Sequence, residues 1–124
     1  MKVKTDFTNT KEYPKMKEGK QKLTVIECVA KDSKNGDPMV VFNLENEDLA
    51  RVYLYCMNTE TNRWGLKQVL AALTGEEQPK GPIEFETEDL INLPLIGRVY
   101  HEAYEGKMYP RVDEFEHYDD SLPF

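Results

Sequence analysis

Residues 23–30 (Leu-Thr-Val-Ile-Glu-Cys-Val-Ala) form a β-branched, apolar run of the kind that fills a buried strand. A turn follows at Lys34-Asn35-Gly36-Asp37-Pro38, whose Asn-Gly pair takes positive φ at little steric cost, so residues 39–45 are expected to return as the second arm of a hairpin. Glu45-Asn46-Glu47-Asp48 is a second polar turn, and residues 50–57 read as a third strand. The period then changes. From Thr61 or Asn62 as N-cap, Leu66, Val69, Leu70 and Leu73 recur at helical spacing, and Gly75 supplies a C-terminal stop. Residues 76–94 are acidic and broken by proline, with a short helical turn expected around 87–92. Residues 95–104 and 107–116 read as two further strands joined tightly at Tyr104-Glu105-Gly106-Lys107.

The order is β-β-β-α-β-β. One helix between the third and fourth of five strands is the arrangement of the OB fold, a mainly β barrel whose sheet face and hairpin loops bind oligonucleotides. Other small α+β folds share that order. The expected organisation is a lysine-rich irregular arm over residues 1–22, the barrel domain over 23–117, and a flexible acidic tip over 118–124.

Composition narrows the picture. The 124 residues suit one domain with short appendages, and no stretch approaches the roughly 18 apolar residues of a membrane span. No signal-peptide core is visible, so the expected location is the cytoplasm. Cys28 and Cys56 sit alone in apolar runs, without a CxxC or His/Cys cluster, and read as reduced, buried thiols.

A net charge of −7 argues against a polyanionic partner until its distribution is considered. Residues 113–124 hold five carboxylates and no Lys or Arg, so the charge outside them is −2. Residues 76–89 hold six carboxylates against Lys80, which leaves the remaining 98 residues at +3. That is compatible with a basic groove on one face.

The third strand is the most informative. Taking Val52, Leu54 and Cys56 as inward places Arg51, Tyr53, Tyr55 and Met57 on the other face. Exposed aromatic faces beside cations are what a single-strand binder needs, because any base can stack while positive charges follow the phosphates. Arg98, Tyr100, Tyr104, Lys107, Tyr109 and Arg111 offer similar material on the last two strands, and Lys31 and Lys34 flank the first hairpin tip. The plainer alternative is that strand tyrosines pack with a polar tip at the surface and that the two lysines solubilise a turn. Trp64 at the helix start is expected to staple the helix to the barrel rather than to stack a base. Catalysis has little support. His101 and His117 lack a neighbouring nucleophile or ligand partner, and no phosphate loop or metal-binding pair occurs. No catalytic residue, metal or cofactor is expected.

The chain ends in Asp119-Asp120-Ser121-Leu122-Pro123-Phe124. A terminal Phe with its free carboxylate is a compact peptide ligand: the ring fills an apolar pocket, the carboxylate meets a cation, and the aspartates face a basic rim. A frayed acidic terminus is the alternative. This tip is similar to the acidic C-terminal tip of bacterial single-stranded DNA-binding proteins, which ends in Asp-Asp-aliphatic-Pro-Phe and recruits replication and repair proteins. Here Ser121 stands between the aspartates and Leu122. The body resembles small phage single-strand binders of OB type, over residues 31–41 (Lys-Asp-Ser-Lys-Asn-Gly-Asp-Pro-Met-Val-Val), 64–70 (Trp-Gly-Leu-Lys-Gln-Val-Leu) and Tyr104-Glu105-Gly106-Lys107.

The resemblance implies a non-enzymatic protein that coats single-stranded DNA during phage replication or recombination in a bacterial host. It implies too that Asp119, Asp120, Leu122, Pro123 and Phe124 recruit replication, recombination or repair proteins. Single-strand binders often multimerise, so a homo-oligomer is a further expectation, although no interface pattern is visible. Two rival expectations are an OB-like protein-interaction adaptor and a phage recombination or annealing protein.

Overall fold

The computed structural model describes residues 1–5, 15–77, 81 and 83–119. Five antiparallel strands, β1 (Gly19–Asp32), β2 (Pro38–Glu45), β3 (Arg51–Met57), β4 (Pro94–Tyr104) and β5 (Lys107–His117), form one sheet in the order β3-β2-β1-β4-β5. Among the described residues, one α-helix, α1 (Trp64–Thr74), and a 3-10 turn (Thr87–Leu90) lie between β3 and β4. β3 and β5, the two ends of the sheet, approach each other. No ladder joins them among the described residues, so the sheet stays open along that seam.

β1 organises the molecule because it is long and bent. Its first half pairs with β4 and its second half with β2, with a register shift between Val25 and Glu27 that leaves Ile26 as the extra residue. Such a bulge sharpens the local bend and twist, which lets one strand serve both halves of the sheet. At the bend the Val25 amide donates to the Leu93 carbonyl (3.0 Å) and the Asn92 amide to the Val25 carbonyl (2.7 Å), fixing the entry to β4.

The strand begins four residues earlier than the apolar run suggests. Gly19-Lys20-Gln21-Lys22 belongs to β1 rather than to an irregular arm, and Met16 is buried in the core. The physical reason is pairing with Ile96–Val99 of β4, a long-range contact that supplies the ladder these polar residues do not advertise.

The core lies on one face of the sheet. Cross-strand rungs Val25/Leu44/Val52, Cys28/Phe42/Leu54 and Ala30/Val40/Cys56 point inward, and Leu23, Leu95 and Val99 extend the layer onto β4. Leu66, Val69, Leu70, Ala72 and Leu73 of α1 complete it. Gly97 is required where β4 crosses the core: a Cβ there would stand 2.6 Å from Val112 Cγ2 and 3.1 Å from Leu23 Cδ1.

Neither Thr61 nor Asn62 caps α1. Asn62 instead closes a tight turn, its amide donating to the Thr59 carbonyl (3.0 Å), so the helix starts later and its N-cap, Arg63, makes no side-chain capping bond. The expected stop holds. Gly75 adopts φ 74°, and its amide donates to Ala71 (2.9 Å). The His117 ring packs over this glycine and its Nδ1 donates to the Ala72 carbonyl (2.8 Å), tying the end of β5 to the end of α1.

The second turn is held by Asn46, a buried residue whose Oδ1 accepts from the amides of Asp48 (3.0 Å) and Ala50 (2.9 Å). Its Nδ2 donates to Gln21 Oε1 (2.8 Å), joining the β2–β3 turn to β1.

Candidate nucleic-acid interface

The face of β1–β2–β3 opposite the core is built by alternation in register. Its rungs are Lys31/Met39/Met57, Val29/Val41/Tyr55 and Glu27/Asn43/Tyr53, followed by Glu45/Arg51. Tyr53 and Tyr55 stand out from it at 50% and 55% exposure, with ring centroids 6.4 Å apart and planes within 29° of parallel. Val41, which pairs with Tyr55, is buried although it faces away from the core, and Val29 is 41% exposed beside it. The two valines make an apolar floor on the rung of Tyr55. Asn43, on the rung with Tyr53, is only 6% exposed, and its Oδ1 has no hydrogen-bond partner among the described residues.

Cations border the platform. Lys31 is the next-to-last residue of β1 and Lys34 lies in the hairpin turn, both exposed and without an ion pair to any described residue. The turn itself is rigidly closed, with Gly36 at φ 82° donating to the Ser33 carbonyl (2.9 Å) and Ser33 donating to Asp37 (2.7 Å). Arg51 is exposed at the start of β3, with Nε 3.2 Å from Glu45 Oε2.

The second group of expected residues lies at the other end of the sheet, on the outer face of β4–β5. The rungs there are Tyr100/Arg111, Glu102/Tyr109 and Tyr104/Lys107. Tyr104 and Tyr109 are exposed and meet edge to face at 6.4 Å, while Lys107 is exposed at the hairpin end without a described ion-pair partner. The Arg111 guanidinium lies 5.9 Å from the Tyr109 centroid and 3.8 Å from Glu102.

Arg98 is differently placed. Its guanidinium makes a two-pronged bond to Asp113 (Nε to Oδ1 2.9 Å, Nη2 to Oδ2 2.6 Å) and also lies 3.1 Å from Glu114, with the Tyr100 ring 5.5 Å away. The hydrogen bonds from Asp113 raise its pKa further, so it is a fixed charge already met by two carboxylates. Arg98 therefore orders β4 against β5.

Trp64 does not staple the helix. It is 63% exposed as the first residue of α1, because the apolar stripe from Leu66 to Leu73 faces the sheet without it. Cys28 and Cys56 are buried free thiols, as expected, with desolvation pushing their pKa values up to about 11 and about 12. Facing the core from β1 and β3, they are separated by the whole of β2. His101 and Glu18 form an exposed pair (Nδ1 to Oε1 3.1 Å), and this hydrogen bond lowers the Glu18 pKa. Among the described residues no cluster of His, Cys, Asp or Glu could hold a metal ion, and no helix is long and apolar enough to cross a membrane.

Of the expected tip, Asp119 is exposed, while Asp120, Leu122, Pro123 and Phe124 lie outside the described residues. Just before it, Tyr118 takes Lys22 over its ring at 4.4 Å, which roots the terminus beside β1. Sequence reasoning missed Asn43 and the Val29–Val41 floor. Extending the alternation from Tyr55 across β2 and β1 would have found them, given the register. No protein-family model and no curated protein matches the chain.

Proposed function

We propose that the protein binds single-stranded DNA with little sequence preference, using the outer face of β1–β2–β3. The observation that carries this reading is the pair of exposed, nearly parallel tyrosine rings on β3, flanked by Lys31, Lys34 and Arg51. The rings lie within 29° of parallel with their centroids 6.4 Å apart, so a flat base stacks on either ring, or between the two once they move apart. Rings of this kind accept any base, and cations at the border follow the backbone.

The strand order, with α1 between β3 and β4 and with β3 and β5 approaching each other, supports an OB-type fold whose β3–β5 seam is not laddered. In that arrangement both hairpin ends, carrying Lys34 and Lys107, border the bound strand. The C-terminal tip, resembling that of bacterial single-strand binders, serves as the docking peptide for replication, recombination or repair proteins of a phage-infected bacterium.

Fluorescence-anisotropy titration of labelled oligo-dT tests the reading. Three to four phosphates neutralised by Lys31, Lys34, Arg51 and Lys107 give a slope of roughly −2 to −3 in log K against log salt, a loss of roughly 15- to 60-fold between 50 and 200 mM. A protein-interaction adaptor shows no affinity at either salt, and a strand-annealing protein pairs complementary oligonucleotides in the same mixture.

A further inference from the structure

We infer that Asn43 is a base-reading residue that gives this platform a preference for bases carrying an exocyclic amino group. The inference rests on the single-strand reading and deepens it. Asn43 faces away from the core, yet it is nine-tenths buried; its cross-strand neighbours are Glu27 and Tyr53, and Val41 and Glu45 flank it on the same face of β2. Its Oδ1 is shut off from solvent and meets no donor among the described residues.

A buried acceptor without a donor is destabilising, and most buried polar side chains in folded proteins have a partner. An apolar residue fills the equivalent place on the next rung, where Val41 pairs with Tyr55. The fold therefore has no packing need for an amide at position 43. What the amide adds is a hydrogen-bonding group on the outer face, on the strand beside Tyr53 and one rung from Tyr55.

A base standing between Tyr53 and Tyr55 points one edge down toward β2, where the Asn43 and Val41 rungs lie. Tyr53 is half-exposed, so rotation of its ring as a base enters uncovers the amide. The acceptor then receives a hydrogen bond from an exocyclic amino group, as on cytosine or adenine. Thymine offers Oδ1 only its ring N–H, whose two flanking carbonyl oxygens offset part of that attraction. The gain is that of one neutral hydrogen bond, roughly two- to tenfold in affinity.

The test is titration of the full-length protein, wild type and Asn43→Leu, with oligo-dC and oligo-dT of equal length, alongside thermal melting. The expected result is a two- to tenfold preference for oligo-dC in the wild type and a ratio near one in Asn43→Leu, with a melting temperature unchanged or raised by removal of the unpaired acceptor. A wild type that binds both oligonucleotides equally overturns the inference, as does a variant that keeps the preference or weakens both complexes alike. A wild type with no affinity for either sinks the single-strand reading itself. If Asn43→Leu fails to fold, the Asn43 side-chain amide resonances of the wild type decide. They shift with oligo-dC and not with oligo-dT; equal shifts with both, or none while β3 amides move, overturn it.

Discussion

Replacing Tyr53 or Tyr55 by Ala removes a ring whose face is available to a base. Stacking of one base on an aromatic side chain contributes roughly 1 to 3 kcal/mol, so each substitution should weaken oligo-dT binding by about 5- to 150-fold. The cost to folding is bounded by the exposure: about half of each tyrosine is already in water. Removing the remaining ~100 Å² of contact at about 25 cal/mol/Å² loses at most ~2.5 kcal/mol. Tyr→Phe at either position keeps the face and should bind within about twofold of wild type, because the hydroxyl has no part in stacking.

The rings are 6.4 Å apart, close enough for the two sites to couple. If one base stands between them, both single variants break the same sandwich, and the double variant loses less than the sum of the two. Anisotropy titrations of the three Ala variants and the two Phe variants, each checked by thermal melting, give the numbers. Single Ala variants that stay folded and bind within twofold of wild type would refute the stacking argument.

Three further outcomes follow from the geometry. Gly97→Ala pushes a methyl into Val112 and Leu23 and should cost about 1 to 3 kcal/mol of stability, read by urea denaturation with oligo-dT binding of the folded fraction unchanged; a neutral substitution contradicts the close approach. The buried thiols have folded pKa values raised to about 11 and about 12 from an ordinary 9.0, so the folded state holds protons that the unfolded chain releases. Their contribution is full below pH 9 and is lost as pH rises above it, by up to about 1.4 kcal/mol per pH unit per thiol; the Cys28→Ala/Cys56→Ala variant should show a flatter decline in melting temperature between pH 9 and 11. Removing residues 120–124 leaves Tyr118 on Lys22 and His117 on Ala72 in place and so should leave melting unchanged. It should also tighten oligo-dT binding slightly at low salt, because the Asp120 carboxylate no longer competes with phosphates and the chain-terminal carboxylate is drawn back to Asp119, and unchanged affinity would count against such competition.

The outward tyrosines were legible because β3 alternates strictly, with Val52 and Cys56 fully inside and Tyr53 and Tyr55 out. The Asn-Gly turn and the Gly75 stop were legible because each needs a positive φ that few residues accept cheaply. The missed features depend on partners distant in sequence. Gly19–Lys22 looks like a polar arm and becomes a strand only against β4. Arg98 reads as a free cation, but the register shift between Ile96 and Arg98 sets it opposite Asp113, which takes its charge. Asn43 reads as an ordinary polar residue in an alternating strand, and only the three-stranded register reveals that its amide is enclosed beside Tyr53. Trp64 was misplaced because a large aromatic at a helix start suggests a staple, whereas the stripe that faces the sheet begins at Leu66.

The central claim, that unpaired bases sit on the outer face of β1–β2–β3, is tested most directly by following the amide resonances of the ¹⁵N-labelled protein during titration with a short oligo-dT. The account predicts shifts concentrated at residues 27–31, 39–45 and 51–57 and at the Lys34 turn. Saturating shifts confined to α1 and the segment before β4, or no shifts at low salt, would contradict it.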